Sequence, residues 1–248
     1  MNKSAIVVED YFGLPERRHA LMERIRSRFA IPSTGVVFVL EKENYQDYPN
    51  SVWRQMAVHL SIKDAPLEEA SPDHLLRLMK SCKYSNLIWL SRQACEARDI
   101  EFAWILSHEL RHLEQDLSSH ALSRAGHFLR YALGGIDIKE PKMQNTIPTE
   151  LDANLRALTV TRGIFGDEYV DSYIQHESSV SEREKQDFDV LKSHDYGKRY
   201  DVFGRTVTLL RKYRSQLEEF QKQSTDRSIA NFDIERVCLE PSAGPRTT

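Results

Sequence analysis

Apolar residues recur every three to four positions over much of this chain, which is the period of an amphipathic helix. The first such stretch covers residues 14–32 and ends at a proline. A second opens with Ser71 as N-cap and Pro72 at the first helical position. The most regular stretch, capped by Asp99, covers residues 100–117. These patterns predict three helices in the first half of the chain.

Three shorter runs in the same half are rich in β-branched and aromatic residues and predict strands. One follows Gly35, one covers Val52 to Leu60, and one covers Asn86 to Ser91. The order helix, two strands, helix, strand and then helices only predicts an α+β fold that is predominantly helical. We expect a small β-sheet that carries a helical body.

The middle of the chain shows helical spacing without strands. Residues 121–133 predict a helix, and residues 134–145 predict a loop. A further helix is expected over residues 148–163, with Pro148 near its start and Gly163 at its end.

The C-terminal third is predicted to be helical too. Ser181 and Glu184 fit a capping box, and an apolar stripe runs from Tyr200 to Phe220. Roughly the last twenty residues are expected to be frayed. We therefore expect one domain over residues 1–170, with a helical C-terminal region over residues 171–248 packed on it.

The composition is that of an ordinary soluble globular protein, with 40% hydrophobic and 29% charged residues. The net charge of −3 indicates neither a nucleic-acid partner nor an acidic tail. The densest basic cluster, Arg211 to Arg214, lies in a periodic helix and is interpreted as a solvated helix face.

No apolar run approaches the roughly 18 residues that span a bilayer, so no membrane association is expected. The short apolar run near the N-terminus ends at Glu9 and Asp10. It is too short for the apolar region of a signal peptide. Cys82, Cys95 and Cys238 are widely spaced and odd in number, which fits neither a disulfide framework nor a zinc ribbon. A cytoplasmic protein with reduced thiols is expected.

One segment of the 100–117 helix carries candidate chemistry. It reads His108-Glu109-Leu110-Arg111-His112, an H-E-x-x-H motif. Four residues of helix turn the chain by about 400° and raise it by about 6 Å, so both histidines project from one face and can reach one ion. Glu109 lies beside them, where a carboxylate can act as general base for a zinc-activated water.

A catalytic zinc site usually has three protein ligands, and the third is not obvious from the spacing. A further histidine six residues beyond His112 is missing, because Ser118 stands there. His120 and His127 are candidates, and so is Glu150, which lies in the first turn of the helix that begins near Pro148.

The segments "HELRH" and "ELDANLRAL" together resemble the gluzincin branch of the zincin metallopeptidases. Within that branch the chain is most similar to the ImmA/IrrE-type domain, whose second helix reads E-x-x-A-N-x-x-A. The resemblance covers only about residues 86–163, and the spacer between the motifs is long, with an extra helical stretch. The residues that match the second motif are Glu150, Ala153, Asn154 and Ala157.

The resemblance implies a zinc-dependent hydrolase that cleaves protein or peptide substrates and holds one Zn²⁺ per chain. It makes His108, His112 and Glu150 the zinc ligands and Glu109 the general base. It also implies a zincin-like sheet whose edge strand, proposed at Asn86 to Ser91, receives an extended peptide by strand addition.

Supporting roles can be assigned only as candidates. Asp116 and Asn154 each lie one turn beyond a proposed ligand, where they can hydrogen-bond to it. An oxyanion-stabilising side chain is also expected. Its candidates are Tyr169, Tyr173, His176 and His194.

Two other classes of function use the same residues. The Glu-x-x-His pattern occurs twice, at Glu16–His19 and Glu109–His112, as it does in di-iron bundles, although those bundles lack strands. Alternatively, the chain is a non-catalytic zinc-bound or metal-free scaffold whose C-terminal helices bind a protein partner.

Overall fold

The computed structural model describes residues 7–32, 34–45, 55–62, 72–81, 83–135, 147–194 and 200–239. The chain divides into two compact units. The first consists of Met1–Glu114 and Arg156–Val170, and the second of Gln115–Leu155 and Asp171–Thr248. The sequence placed a boundary between a peptidase domain and a helical region at residues 170 and 171, and this division by function stays a prediction.

The first unit contains a four-stranded mixed sheet. Its strands are β1 (Val7–Asp10), β2 (Val36–Leu40), β3 (Ala57–Ser61) and β4 (Asn86–Leu90), in the order β1-β2-β4-β3. β2 pairs in parallel with both β1 and β4, whereas β3 runs antiparallel to β4. The predicted α+β class is confirmed.

Helices make up most of the described chain, as the sequence predicts. In chain order they are α1 (Glu16–Arg26), α2 (Asp73–Lys80), α3 (Arg92–Glu96), α4 (Asp99–Ser118), α5 (His120–Gly135), α6 (Pro148–Phe165), α7 (Asp167–Val180), α8 (Glu182–Lys192), α9 (Val202–Lys212), α10 (Arg214–Gln223), α11 (Arg227–Ala230) and α12 (Ile234–Leu239).

The prediction that Asn86 to Ser91 forms an edge strand is wrong. β4 lies between β2 and β3, and all five of its residues are buried. The physical reason is that its side chains are apolar on both faces, apart from Asn86, which is bonded to His59 of the neighbouring strand at 3.0 Å. On this side of the sheet the edge strand is β3.

β1 was not predicted, because Glu9 and Asp10 break the apolar pattern of its four residues. The strand predicted over Val52 to Leu60 is observed as β3, and residues 52–54 lie outside the described residues. α2 begins one residue later than expected, with Pro72 as its N-cap, and Ser71 lies outside the described part.

The sheet is covered on both faces, which explains why β2 and β4 are apolar at every position but one. On one face Phe38 and Ile88 pack with α1, α3 and α4. On the other face Val39 and Trp89 pack with α2. Because side chains alternate between the faces of a strand, each strand contributes to both cores.

α4 lies on the sheet through one apolar stripe. Phe102, Leu106, Leu110 and Leu113 are fully buried in the core of that face. At 100° per residue, His108 and His112 project from the opposite side of the helix. The stripe therefore fixes the direction in which the H-E-x-x-H histidines point.

Arg18 of α1 fixes the start of α4. Its Nε donates to Asp99 Oδ1 at 2.7 Å, its Nη1 donates to the Cys95 carbonyl at 2.8 Å, and its Nη2 donates to the Ala97 carbonyl. The guanidinium also lies over the Phe102 ring. The Arg18 side chain is only 11% exposed, whereas that of Asp99 is 42% exposed, so the loss of Arg18 affects mainly the two carbonyls.

Arg18→Ala is expected to lower the free energy of unfolding by about 2–3 kcal/mol, because two carbonyls lose a charged donor. The neighbouring exposed residue gives the control, since Arg17→Ala should change stability by no more than about 0.5 kcal/mol. Urea denaturation followed by circular dichroism measures both. Equal effects of the two substitutions would contradict the anchoring role of Arg18.

The second unit has its own apolar core, in which Phe128 of α5 stacks on Phe232 at a ring-centroid distance of 4.4 Å. The expectation of a frayed C-terminus is wrong for residues 229–239. Ile229, Ile234 and Val237 are buried there and close the core against α9 and α10. Residues 240–248 lie outside the described residues.

Two further boundaries differ from the sequence patterns. α6 continues through Gly163 and ends before Gly166, whose φ of 89° is the left-handed conformation that terminates helices. The apolar stripe from Tyr200 to Phe220 is divided between α9 and α10, with the break at Tyr213. Ser181 does cap α8, accepting a hydrogen bond from the Glu184 backbone N–H.

Cys95 and Cys238 are free thiols. Burial raises the pKa of the Cys95 thiol to about 12, so this thiol stays protonated at neutral pH. Cys82 lies outside the described residues. Among the helices that the structure describes, none combines the length and the apolar character needed to cross a membrane.

Candidate metal centre

The two histidines of the H-E-x-x-H motif converge. The Nε2 atoms of His108 and His112 are 3.0 Å apart, and both rings are only partly buried. Two nitrogens bound to one tetrahedral zinc ion at 2.0–2.1 Å lie about 3.3 Å apart. The observed separation is within a few tenths of an ångström of that value, so the pair fits one ion.

Glu150 of α6 completes the group. Ligand atoms of His108, His112 and Glu150 all lie within 4.8 Å of one another. Glu150 is 5% exposed, and a buried carboxylate needs a cation or several hydrogen-bond donors close by. Two imidazoles and a carboxylate form a donor set that can hold a metal ion such as zinc.

A buried glutamine positions the start of α6. Gln115 is 2% exposed, and its Nε2 donates to the Thr149 carbonyl at 3.0 Å and to Asp152 Oδ2 at 2.7 Å. These bonds hold the residues on either side of Glu150. This role of Gln115 was not predicted from the sequence.

Glu109 is 9% exposed, and its carboxylate is hydrogen-bonded to the sheet. Its Oε2 accepts the backbone N–H of His59 on β3 at 2.7 Å. His59 and Glu109 both belong to the first unit, so α4 and the edge strand are joined at the residue expected to act as base. The hydrogen bond fixes one carboxylate oxygen, and a carboxylate has a second oxygen that can accept a proton.

The other candidate ligands lie elsewhere. His120 Nδ1 is 2.8 Å from Asp116 Oδ1, and His127 is exposed on α5. The pairing of Asp116 with His120 also gives Asp116 a role other than the expected bond to His112. The role of Asn154 stays a prediction.

Two of the candidates for oxyanion stabilisation, Tyr169 and His194, make aromatic contacts of their own. Tyr169 is 58% exposed and packs on Phe165. His194 contacts Tyr200, and burial raises the pKa of that phenol to about 12. Tyr173 is partly buried and His176 is exposed. Their catalytic roles stay predictions.

The second Glu-x-x-His copy forms a different contact. His19 Nε2 lies 3.0 Å from Asp10 Oδ2, and Glu16 is exposed at the start of α1. Within the described ranges, the metal-ligand grouping comprises His108, His112 and Glu150 without either of these residues. The sheet and this pairing both count against the di-iron interpretation.

Gly126 allows α5 to approach the first turn of α6. A Cβ atom at this position would meet Thr149 Oγ1 and would lie 2.9 Å from Thr149 Cγ2 and 3.0 Å from Thr149 Cβ. Both distances are shorter than van der Waals contact, so one helix would have to move. Thr149 directly precedes Glu150, and any such movement would displace a member of the metal group.

Gly126→Ala is therefore expected to lower the free energy of unfolding by about 1–3 kcal/mol, the usual cost of overpacking. Within the described part of the chain, no atom other than those of its own helix backbone and chain neighbours lies within 4 Å of a Cβ added at Gly134 in the same helix. Gly134→Ala should be neutral or stabilise the protein by up to about 1 kcal/mol. Thermal unfolding separates the two variants, and equal stabilities would contradict the close approach of Gly126 to Thr149.

Comparison of the chain with protein-family models, with curated proteins and with solved structures yields no match. The class that the fold and the group define is therefore a mixed α+β protein with a candidate His-His-Glu metal centre.

Proposed function

We propose that this protein is a zinc-dependent peptidase of the gluzincin type. The observation that carries the proposal is the convergence of His108, His112 and Glu150, with all three ligand atoms within 4.8 Å. The three residues come from two helices, α4 and α6. The same set is a donor combination used by catalytic zinc sites.

Zinc held by these residues would supply a bound water that is acidic near neutral pH and a Lewis acid for the substrate carbonyl. Glu109 is the residue that handles protons. Its Oε2 stays on the His59 N–H, and its Oε1 accepts a proton from the attacking water and then delivers it to the leaving amine. Water is thereby added across the peptide bond, which leaves a carboxylic acid and an amine.

The fixed position of Glu109 supports this role. A general base must be held within hydrogen-bond reach of the proton that it takes. The bond to a backbone N–H of β3, together with 9% exposure, restricts the carboxylate to few orientations. The same bond would also suit a purely structural glutamate in a metal-bound scaffold, and the experiment has to separate these possibilities.

Within this proposal, residues 1–170 form the peptidase domain and the C-terminal helices of residues 171–248 complete it or bind a protein partner. The substrate is a protein or peptide in the cytoplasm. The peptidase domain and its substrate class follow from the resemblance, and the cytoplasmic location follows from the cysteine pattern.

The experiment compares zinc-loaded and chelator-treated protein on a library of short peptides, with cleavage followed by mass spectrometry. We expect cleavage by the zinc form, loss with the chelator 1,10-phenanthroline, and recovery when zinc is returned. Bound zinc without cleavage of any peptide would reject the peptidase proposal and favour the scaffold.

A further inference from the structure

Arg130 of α5 lies beside the metal group and was not selected by any sequence pattern. Its Nη1 is 3.7 Å from Glu150 Oε1, and both residues belong to the second unit. The Arg130 side chain is 31% exposed, whereas that of Glu150 is 7% exposed. The guanidinium is therefore in contact with the buried carboxylate and with solvent at once.

The position of Arg130 is set by the packing of α5. Gly126 brings this helix against Thr149, as the short Cβ distances show. Arg130 follows one turn later on the same face of α5, because four residues of helix complete slightly more than one turn. The close approach at Gly126 therefore directs Arg130 towards Glu150.

The distance between Arg130 and Glu150 is compatible with two roles of the guanidinium, orienting Glu150 or binding a substrate carboxylate. At 3.7 Å the contact is an ion pair and exceeds the range of about 2.7–3.2 Å for a hydrogen bond. Arginine presents its donors in a planar fork that matches a carboxylate in a bidentate arrangement. Such a fork beside a metal ligand can bind a carboxylate that approaches from solvent.

The charges of the group favour an anion. With a divalent cation, two neutral imidazoles, Glu150 and Arg130, the local charge is about +2, and Glu109 reduces it to about +1. Without Arg130 the same set would be close to neutral. Arg130 therefore adds one positive charge to this set of groups around the occupied site.

We propose that Arg130 makes this site selective for substrates that carry a carboxylate next to the reacting carbonyl, of which the C-terminal carboxylate of a peptide is the simplest. The proposal rests on the proposed metal site and names its substrate class. Arg130 lies in the helical stretch that is additional to the gluzincin resemblance, so the preference is a property of this chain.

The test measures binding rather than turnover. Cobalt-loaded protein is titrated with N-acetyl-Ala-Ala and with its C-terminal amide, and binding is followed by the visible absorption of the bound Co²⁺. We expect the acid to bind at least about 10-fold more tightly than the amide, which corresponds to about 1.4 kcal/mol. In Arg130→Gln this ratio should fall to about 2-fold or less, and Arg130→Lys should retain part of it.

Arg124→Gln is the matched control, because Arg124 is an exposed arginine on the same helix. Its acid-to-amide ratio should equal that of the unmodified protein. The affinity of each variant for Co²⁺ is measured alongside by competition with a chelator. If Arg130 only orients Glu150, Arg130→Gln weakens cobalt binding and leaves the ratio unchanged, which overturns the proposal.

Failure of this inference and failure of the proposed function give different results. Cobalt uptake with no preference for the acid overturns the role of Arg130 and leaves the metal site in place. Absence of cobalt uptake overturns the metal site, and the selectivity proposal with it. A preference that is lost only in the Arg130 variants supports both.

Discussion

Replacing Glu109 with glutamine is expected to reduce peptide hydrolysis by about 10²–10⁴-fold while leaving bound zinc in place, because the variant lacks only the proton acceptor. Glutamine has the same shape as glutamate, and its side-chain carbonyl can still accept the His59 N–H that Glu109 Oε2 accepts at 2.7 Å. The fold and the position of α4 against β3 should therefore survive. Activity and zinc content are measured on the same sample.

Glu114→Gln provides a closely matched control. Glu114 lies on the same helix, and its Oε1 also accepts a backbone N–H, that of Ala30, at 2.8 Å. Its Oε2 is paired with Arg111. This variant should retain full hydrolysis. Equal activity of the Glu109→Gln and Glu114→Gln proteins would contradict the role of Glu109 as general base.

Replacing His108 with alanine is expected to lower zinc affinity by more than about 100-fold, since even loss of an outer-shell partner of a ligand typically costs 10–100-fold. The remaining His112 and Glu150 cannot satisfy a site that needs three protein ligands. Competition with a chromophoric chelator measures the affinity. Hydrolysis should be lost in parallel, because both functions depend on the same ion.

His120→Ala distinguishes a specific site from general binding by histidines. His120 is on the neighbouring helix, is half exposed and pairs with Asp116. The spacing along the chain allowed it as a third ligand, whereas the candidate group that the structure brings together contains Glu150. Zinc affinity should be unchanged in this variant. A loss comparable to that of His108→Ala would show that the ligand set is different.

The sequence was sufficient for features that depend on local periodicity. The apolar stripe of α4 predicted its helix to within one residue at each end, and helix geometry alone placed His108 and His112 on one face. The order of the strands could not be predicted in the same way. Pairing depends on contacts between distant segments, and the residues of β4 predict a strand without revealing which strands lie beside it.

In the candidate metal centre, too, the sequence predicted some residues and missed others. Glu150 was suggested by its place in the first turn of α6 and by the motif that surrounds it, and the structure brings it to the histidines. Arg130, Gln115 and the bond between Glu109 and β3 had no signal in the sequence, because an arginine or glutamine on a helix usually faces solvent. Their positions depend on contacts between segments that are distant in the sequence.

The C-terminal helices were missed because they are short. Residues 227–239 form two helices of four and six residues, too short to stand out by periodicity. Phe232 is nevertheless buried, since it stacks on Phe128 of α5. Tertiary packing orders this segment although its local pattern does not.

The most direct test is the metal content of the purified protein, prepared without chelators and measured by inductively coupled plasma mass spectrometry. One zinc per chain is expected in the unmodified protein, with zinc lost in His108→Ala and Glu150→Ala and retained in Glu109→Gln. Absence of metal, or two irons per chain, would contradict the assignment of His108, His112 and Glu150 as a zinc site.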